Sequence, residues 1–207
     1  MALNTASNNI EVLLDNPHAE QQIFLNSTAR FRVLMCGRRW GKSLIAQNVS
    51  IEYMLDKKHV AYITPTYSLA KVFYNELINQ LPPALIQSQN KSDLDIKLIT
   101  GGSISFFTGE KPDVMRGRKF HLVIVDEAAY VKDFKNAWNN AIRPTLTDYK
   151  GEGIFISTPR GKDFFNAMFD RGQNKDGGYE SFRFTSYGNP HIDESEIEMA
   201  KSELPES

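Results

Sequence analysis

Short, almost uninterrupted apolar runs alternate along this chain with longer stretches of helical spacing. The run FRVLMC at 31–36 leads straight into GRRWGKS, and HVAYIT at 59–64 is closed by Pro65. FHLVIV at 120–125 and GIFIS at 153–157 are apolar almost throughout. Strands of that kind are buried on both faces and belong in the middle of a parallel sheet. Residues 42–56 read as a helix, as do 68–80 with Ser68 as its N-cap, 133–141, 161–170 and the acid-rich 193–203. Segments 95–99 and 103–108 flank Gly101 and Gly102, the signature of a two-residue hairpin turn. Buried strands alternating with helices predict an α/β unit with a mainly parallel central sheet and an added antiparallel β-hairpin. Ligands of such sheets bind beyond the carboxyl ends of the strands, which is where the chemistry-bearing residues of this chain fall.

The 207 residues suffice for one domain with a substantial core and a short appendage. A net charge of −1 means that contact with nucleic acid needs a local basic patch, and it argues against a tight standalone DNA binder. Cys36 is the only cysteine, so an internal disulfide and a thiol zinc site are excluded, which fits a reducing compartment. His18, His59, His121 and His191 show no metal-ligand spacing. No apolar run approaches the roughly 20 residues of a membrane span. The N-terminal stretch, with Leu13 and Leu14 but no basic region, does not read as a signal peptide.

The loop CGRRWGKS at 36–43 fits the phosphate-binding pattern G-x-x-x-x-G-K-[ST], with Cys36 in place of the first glycine. Gly41 completes the cradle, Lys42 reaches terminal phosphates, and Ser43 offers a hydroxyl to Mg²⁺. A small residue at position 36 permits the turn if its φ stays negative, and Gly37 adds flexibility. Asp126 and Glu127 end a buried strand, where two acids are costly unless they have work to do. Such an aspartate holds Mg²⁺, and the adjacent glutamate orients and deprotonates an attacking water.

Further candidates carry two readings each. Arg38 and Arg39 reach the γ-phosphate or the catalytic glutamate, or are solvated while Trp40 packs. Gln21 reads both edges of an adenine, or is a surface residue. Ser157 and Thr158, before Pro159, sense the γ-phosphate or form a small-residue turn. Arg116 and Arg118, around Gly117, are an arginine finger, a nucleic-acid contact or solvated charges.

The series PHAEQQIFLNSTARFRVLMCGRRWGKS, YITPTY, MRGRKFHLVIVDEAAY and FISTPRG resembles the ATPase domain of large terminase subunits of tailed bacteriophages across 17–160. The specific features are an arginine four residues before the phosphate-loop lysine, the adjacent Asp-Glu pair, and Ser-Thr-Pro one strand later. The resemblance implies a P-loop NTPase of the RecA-like (ASCE) type, a three-layer sandwich. It implies an Mg²⁺-dependent ATPase motor that moves double-stranded viral DNA into a procapsid in the host cytoplasm. The implied partners are the DNA, a portal protein, a small terminase subunit and further copies forming a ring, with no membrane.

By the same resemblance Gln21 is the adenine-reading glutamine, Arg38 the variant-loop arginine, and Lys42 and Ser43 the phosphate and Mg²⁺ ligands. Asp126 is then the Mg²⁺ aspartate, Glu127 the catalytic base, Ser157 and Thr158 the coupling motif, and Arg116 a finger for a neighbour's site. Residues 1–30 are expected to form an adenine-side segment, 31–190 the P-loop core, and 191–207 a C-terminal helix and the start of a linker. Family members carry a nuclease domain next. Asp163, Asp170 and Glu196 lack strand placement, so a truncated ATPase unit without cutting activity is expected. A helicase would need a second RecA-like domain, for which the chain is too short. A nucleotide-dependent switch has less need of Glu127.

Overall fold

Consecutive residues of the buried strands face opposite ways, and each set meets its own layer of helices. In the computed structural model, residues 10–202 are described. The strands are β1 (Phe31–Cys36), β2 (His59–Thr64), β3 (Ile86–Asn90), β4 (Asp95–Leu98), β5 (Ser103–Thr108), β6 (Leu122–Asp126), β7 (Glu152–Ser157) and β8 (Tyr179–Phe184). The helices are α1 (Ala19–Leu25), α2 (Lys42–Leu55), α3 (Tyr67–Gln80), α4 (Phe134–Ala137), α5 (Phe164–Gln173) and α6 (Glu194–Ser202). All eight strands join one sheet in the order β3-β4-β5-β2-β6-β7-β1-β8. It is parallel from β5 to β8, and β3, β4 and β5 pair antiparallel.

Leu122 and Ile124 of β6 pack with α1, α2 and α3, whereas Val123 and Val125 pack with α4, α5 and Trp138. This is the α/β unit with a mainly parallel sheet and an antiparallel addition that the pattern predicts, in the three layers that the resemblance implies. The parallel neighbours β6, β7 and β1 end together, with Asp126 beside Ile156 and Ser157 beside Met35. One edge of the sheet therefore carries the phosphate loop, the acid pair and the Ser-Thr-Pro segment.

Several boundaries differ from the expected ones. Helix α3 starts at Tyr67, so that Thr66 rather than Ser68 stands at its N-cap. The hairpin connection covers 99–102 rather than two glycines alone. Gly101 takes φ 96°, while a Cβ on Gly102 would lie 2.0 Å from the Met54 carbonyl oxygen, so Gly102 lets the hairpin close on α2. The single helix expected at 133–141 is broken: α4 passes into a π-helical turn at Trp138–Ile142 and a 3-10 turn at Arg143–Leu146. Pro144 lacks the N–H that would extend an α-helix there. Helix α5 begins at Phe164, after Gly161 (φ 129°), because the Asp163 side chain accepts the Asn166 N–H at 2.8 Å and caps it. The pattern shows neither α1, β3 nor β8. Among the described residues no helix is long and apolar enough to cross a membrane.

Strand β8 extends the sheet beyond β1, and α5 fixes it there. Ser181 Oγ donates to the Phe169 carbonyl at 2.7 Å, and a Cβ on Gly172 would lie 1.9 Å from Ser181 Oγ and 2.8 Å from its backbone nitrogen. Gly172→Ala is therefore expected to destabilise the domain by about 1–3 kcal/mol, the usual cost of overpacking. Chemical denaturation checks this: the midpoint should fall at unchanged slope, and an unchanged midpoint would mean that α5 and β8 separate freely.

Candidate phosphate site at the sheet edge

The loop leaving β1 reverses direction through two left-handed residues, Arg39 (φ 60°) and Gly41 (φ 104°). Glycine carries such a φ at no steric cost; arginine does not. Gly41 is the N-cap of α2 and supplies no capping side chain, so the first-turn N–H groups of that helix face outward from its end unpaired. An anion is favoured at such a position by the free N–H groups and the helix dipole.

Cys36 is buried in the core, and burial pushes its thiol up to about 12, which makes it a packing residue rather than a nucleophile. Gly37 owes its identity to close approach: a Cβ there would lie 2.4 Å from Ser186 Oγ and 2.8 Å from the Ser186 backbone nitrogen. The flexibility expected of Gly37 is thus replaced by a steric demand.

Lys42 lies across the mouth of the loop, with Nζ 3.4 Å from the Gly37 carbonyl and 3.9 Å from Glu127 Oε1. Asp126 accepts the Tyr62 hydroxyl at 2.7 Å on Oδ2 and the Glu127 N–H at 3.0 Å on Oδ1. Its pKa is nevertheless raised, because desolvation outweighs those two bonds and the attraction of Lys42. A deeply set carboxylate at the end of β6, on the same sheet edge as the first turn of α2 that carries the Ser43 hydroxyl, offers hard-oxygen donors of the kind that suit Mg²⁺ held by few protein ligands.

Glu127 sits in the left-handed region at φ 49°, held by its N–H on Asp126 and by the Tyr130 N–H on its carbonyl at 2.8 Å. Strain of this kind at a strand end persists only where the surroundings impose it. The Glu127 carboxyl is also raised in pKa, first by burial and further by Asp126. Lys42, the Thr158 N–H and the Ser157 hydroxyl pull it back.

The structure brings most of the sequence-derived residues together. Ser157 Oγ lies 3.4 Å from Glu127 Oε2 and accepts the Ala129 N–H at 3.3 Å, so the Ser-Thr pair touches the acid itself. Arg38 and Arg39 are exposed and, with Gly37, Thr158, Arg183 and Tyr187, line a cavity of about 790 Å³ beside the loop. Gln21 is buried behind the loop, where Nε2 donates to the Gly41 carbonyl at 3.2 Å and Oε1 accepts the His18 N–H at 2.9 Å. One N–H and one lone pair of its amide are left over. Arg116 lies apart, exposed and paired with Asp113 at 2.7 Å, and Arg118 covers the Phe107 ring at 5.0 Å.

Five residues that contact the loop or the acid pair escape the sequence pattern. Tyr62 reaches Asp126 from β2 while stacked on Phe73 at 3.8 Å. His18 Nε2 lies 3.1 Å from the Trp40 carbonyl, and Glu20 accepts the Trp40 indole N–H at 2.6 Å. Ser186 and Asn189 reach the loop from beyond β8. Polar residues of ordinary type give no local signal of such long-range contacts. Among the described residues no three His, Cys, Asp or Glu gather into a metal cluster.

Comparison with known proteins agrees with this geometry. The chain matches the family described as terminase large subunit, T4likevirus-type, N-terminal, over residues 33–203. It is 30% identical to the large terminase subunit of Escherichia phage T5 over 176 residues, covering 83% of this chain and 40% of that protein. It is 29% identical to the large terminase subunit of Thermus phage G20c over 181 residues, 77% of this chain and 37% of that one. The chain thus spans well under half the length of these relatives. Among solved structures, the large terminase ATPase domain of Thermus phage P74-26 superposes with a TM-score of 0.80 at 22% identity, covering 92% of this chain and 90% of that one. The large terminase of a thermophilic bacteriophage in complex with ATP-gamma-S superposes with a TM-score of 0.71 at 16% identity, covering 91% and 50%.

A carboxyl whose native pKa lies above its unfolded value keeps its proton in the fold where the unfolded chain has lost it. Stability then falls as pH rises through the window between the two values. Asp126 and Glu127 both contribute in this sense, so Glu127→Gln should make the decline in Tm from mildly acidic to neutral pH shallower than in the parent, measured without metal or nucleotide. An equal or steeper decline would show that attraction by Lys42, not burial, governs the Glu127 carboxyl.

Proposed function

The chain belongs to the T4-like large terminase subunit family, and from that membership and the site above we propose that it is an Mg²⁺-dependent ATPase domain whose turnover drives double-stranded viral DNA into a procapsid. The observation that carries the reading is Glu127. It is strained, raised in pKa, set beside Asp126 and bonded by Ser157, and it faces the lysine of a phosphate loop across 3.9 Å. The ATP-gamma-S complex of the thermophilic-phage terminase supports ATP as the ligand.

In this reading the free N–H groups at the head of α2, with Lys42, hold the terminal phosphates. Ser43 and Asp126 would hold Mg²⁺, which when bound would supply positive charge to offset that of the phosphates. Glu127 orients the attacking water and takes its proton; a pKa raised by burial makes it the stronger base. Arg38 and Arg39, exposed at the cavity, offset charge as it develops on the phosphates. Gln21 directs its remaining amide N–H and lone pair to adenine, and Ser157 with Thr158 couples the state of Glu127 to the edge of the sheet. The reading extends to the portal, the small terminase subunit and a ring of copies in the host cytoplasm as the setting of the motor. The nucleotide unit is 31–190, flanked by the adenine-side segment 1–30 and the C-terminal segment 191–207. Residues 1–9 and 203–207 lie outside the described ones.

Lys42→Ala should weaken ATP binding by about 10- to 100-fold, the loss of charge-assisted bonds. Glu127→Gln should keep the affinity and lower kcat by about 100-fold or more. Calorimetric affinity and phosphate release separate the two, and parental turnover by Glu127→Gln would end the assignment of the base.

Arg116, exposed and away from its own site, is assigned to a neighbour's site in the ring. A finger given in trans accelerates phosphoryl transfer by about 10³–10⁵. Turnover per subunit should therefore rise on assembly, and Arg116→Ala should abolish the rise at unchanged ATP affinity. Mixed Arg116→Ala and Glu127→Gln subunits should regain activity, because the first supplies an intact base and the second an intact finger. A mixture that stays inactive where the parent assembles and turns over removes Arg116 from the mechanism.

A further inference from the structure

The residues that follow β8 grip the phosphate loop at consecutive positions. The Gly37 N–H donates to the Phe184 carbonyl at 3.2 Å, Ser186 Oγ donates to the Arg38 carbonyl at 2.8 Å, and Asn189 Nδ2 donates to the Arg39 carbonyl at 2.8 Å. The Asn189 amide is oriented from its other side, since Oδ1 accepts the His191 N–H at 3.0 Å, which leaves Nδ2 for the loop. Ser186 packs so close to Gly37 that no Cβ fits between them.

Both accepting carbonyls belong to the arginines facing the cavity, and Arg39 is held at φ 60°, which a side chain disfavours. Turning the carbonyls of a loop outward turns its N–H groups toward the anion, and successive right- and left-handed residues form such an anion cradle. The two donors therefore bear on the part of the loop whose shape decides whether phosphate fits.

We propose that Ser186 and Asn189 are positioning residues of the phosphate loop, fixing the backbone of Arg38 and Arg39 in the phosphate-binding conformation. This rests on the reading of the loop as an ATP site. Neither side chain touches the nucleotide; each acts through a loop carbonyl. The competing account is that both bonds merely fasten the 185–189 segment to the domain. In that case their loss frees the segment and leaves ATP affinity untouched.

The test uses Ser186→Ala and Asn189→Asp. The second keeps the acceptor for His191 but replaces the donor to Arg39 with a carboxylate oxygen and adds a negative charge, so Ser186→Ala, which adds none, decides where the two differ. Ser186→Thr, which restores a hydroxyl, serves as rescue, and Ser195→Ala, an exposed hydroxyl bonded to Asp193 rather than the loop, is the control. Calorimetry with Mg²⁺-ATP at a temperature where all variants are folded should show each of the first two binding about three- to tenfold more weakly, the range of one net hydrogen bond. Ser186→Thr and Ser195→Ala should stay within about twofold of the parent. In the nucleotide-free protein, amide exchange should quicken across 37–41 as well as 185–189. Unchanged affinity, or faster exchange confined to 185–189, overturns the proposal while the ATP reading stands. A parent that binds no ATP overturns both.

Discussion

A loop that turns its N–H groups toward an anion turns its carbonyls the other way, where donors from elsewhere in the chain can fix its shape. Such donors gather around residues 38–41. Four consecutive carbonyls are met by four side chains from two distant segments: Arg38 by Ser186, Arg39 by Asn189, Trp40 by His18 and Gly41 by Gln21. His18 does this while closing the cap of α1, with Nδ1 facing the Gln21 N–H and Nε2 facing Trp40, an arrangement that suits the neutral ring protonated on Nε2. Trp40 is the wedge between the two segments, stacked on Phe184 of β8 at 5.0 Å and bonded to Glu20 of α1. A Cβ on Gly188 would lie 1.7 Å from that same Glu20 carboxylate, so both segments also converge on each other.

This arrangement explains why the sequence yields one half of the site and hides the other. The phosphate loop, the acid pair and the Ser-Thr-Pro segment each follow a buried strand, and an apolar run ending in charge or glycine is visible within a few residues. The support for the loop is not. Ser186 and Asn189 stand 148 and 150 positions from the residues they hold. They follow β8, an edge strand whose residues are mostly half-buried and so lack the continuous apolar run that marks β6. Helix α1 has two buried residues, Gln21 and Phe24, too few to show a period. The break after α4 is hidden for the opposite reason: apolar spacing continues through Trp138 and Ile142 while the backbone widens into a π-helical turn.

The glycines meet the same limit. Gly41 and Gly101 take positive φ, as local turn patterns suggest. Gly37, Gly102, Gly172 and Gly188 are fixed instead by what approaches them from Ser186, Met54, Ser181 and Glu20. Close approach is a property of the folded chain, so a local pattern can mark such a glycine without giving its reason. The first loop position follows the same logic. Cys36 occupies a buried strand end with Phe184 on the neighbouring strand, where a small apolar side chain packs and a glycine would leave space.

The acid pair is held against its own electrostatics. Burial raises both carboxyls, and the charge of Lys42 lowers both. Lys42 is shared at long range between Glu127 and the Gly37 carbonyl rather than locked to either. A phosphate seated on the loop competes for that lysine with a larger negative charge. On the proposed reading, drawing Lys42 away would remove the strongest of the influences that hold the Glu127 pKa down, while the charge of a bound Mg²⁺ would act in the opposite sense. Ser157 and the Thr158 N–H still fix its position through that change, because they bond the carboxylate from the neighbouring strand and owe nothing to Lys42. The strained backbone at φ 49° serves the same end, since it aims the side chain at the loop instead of continuing β6.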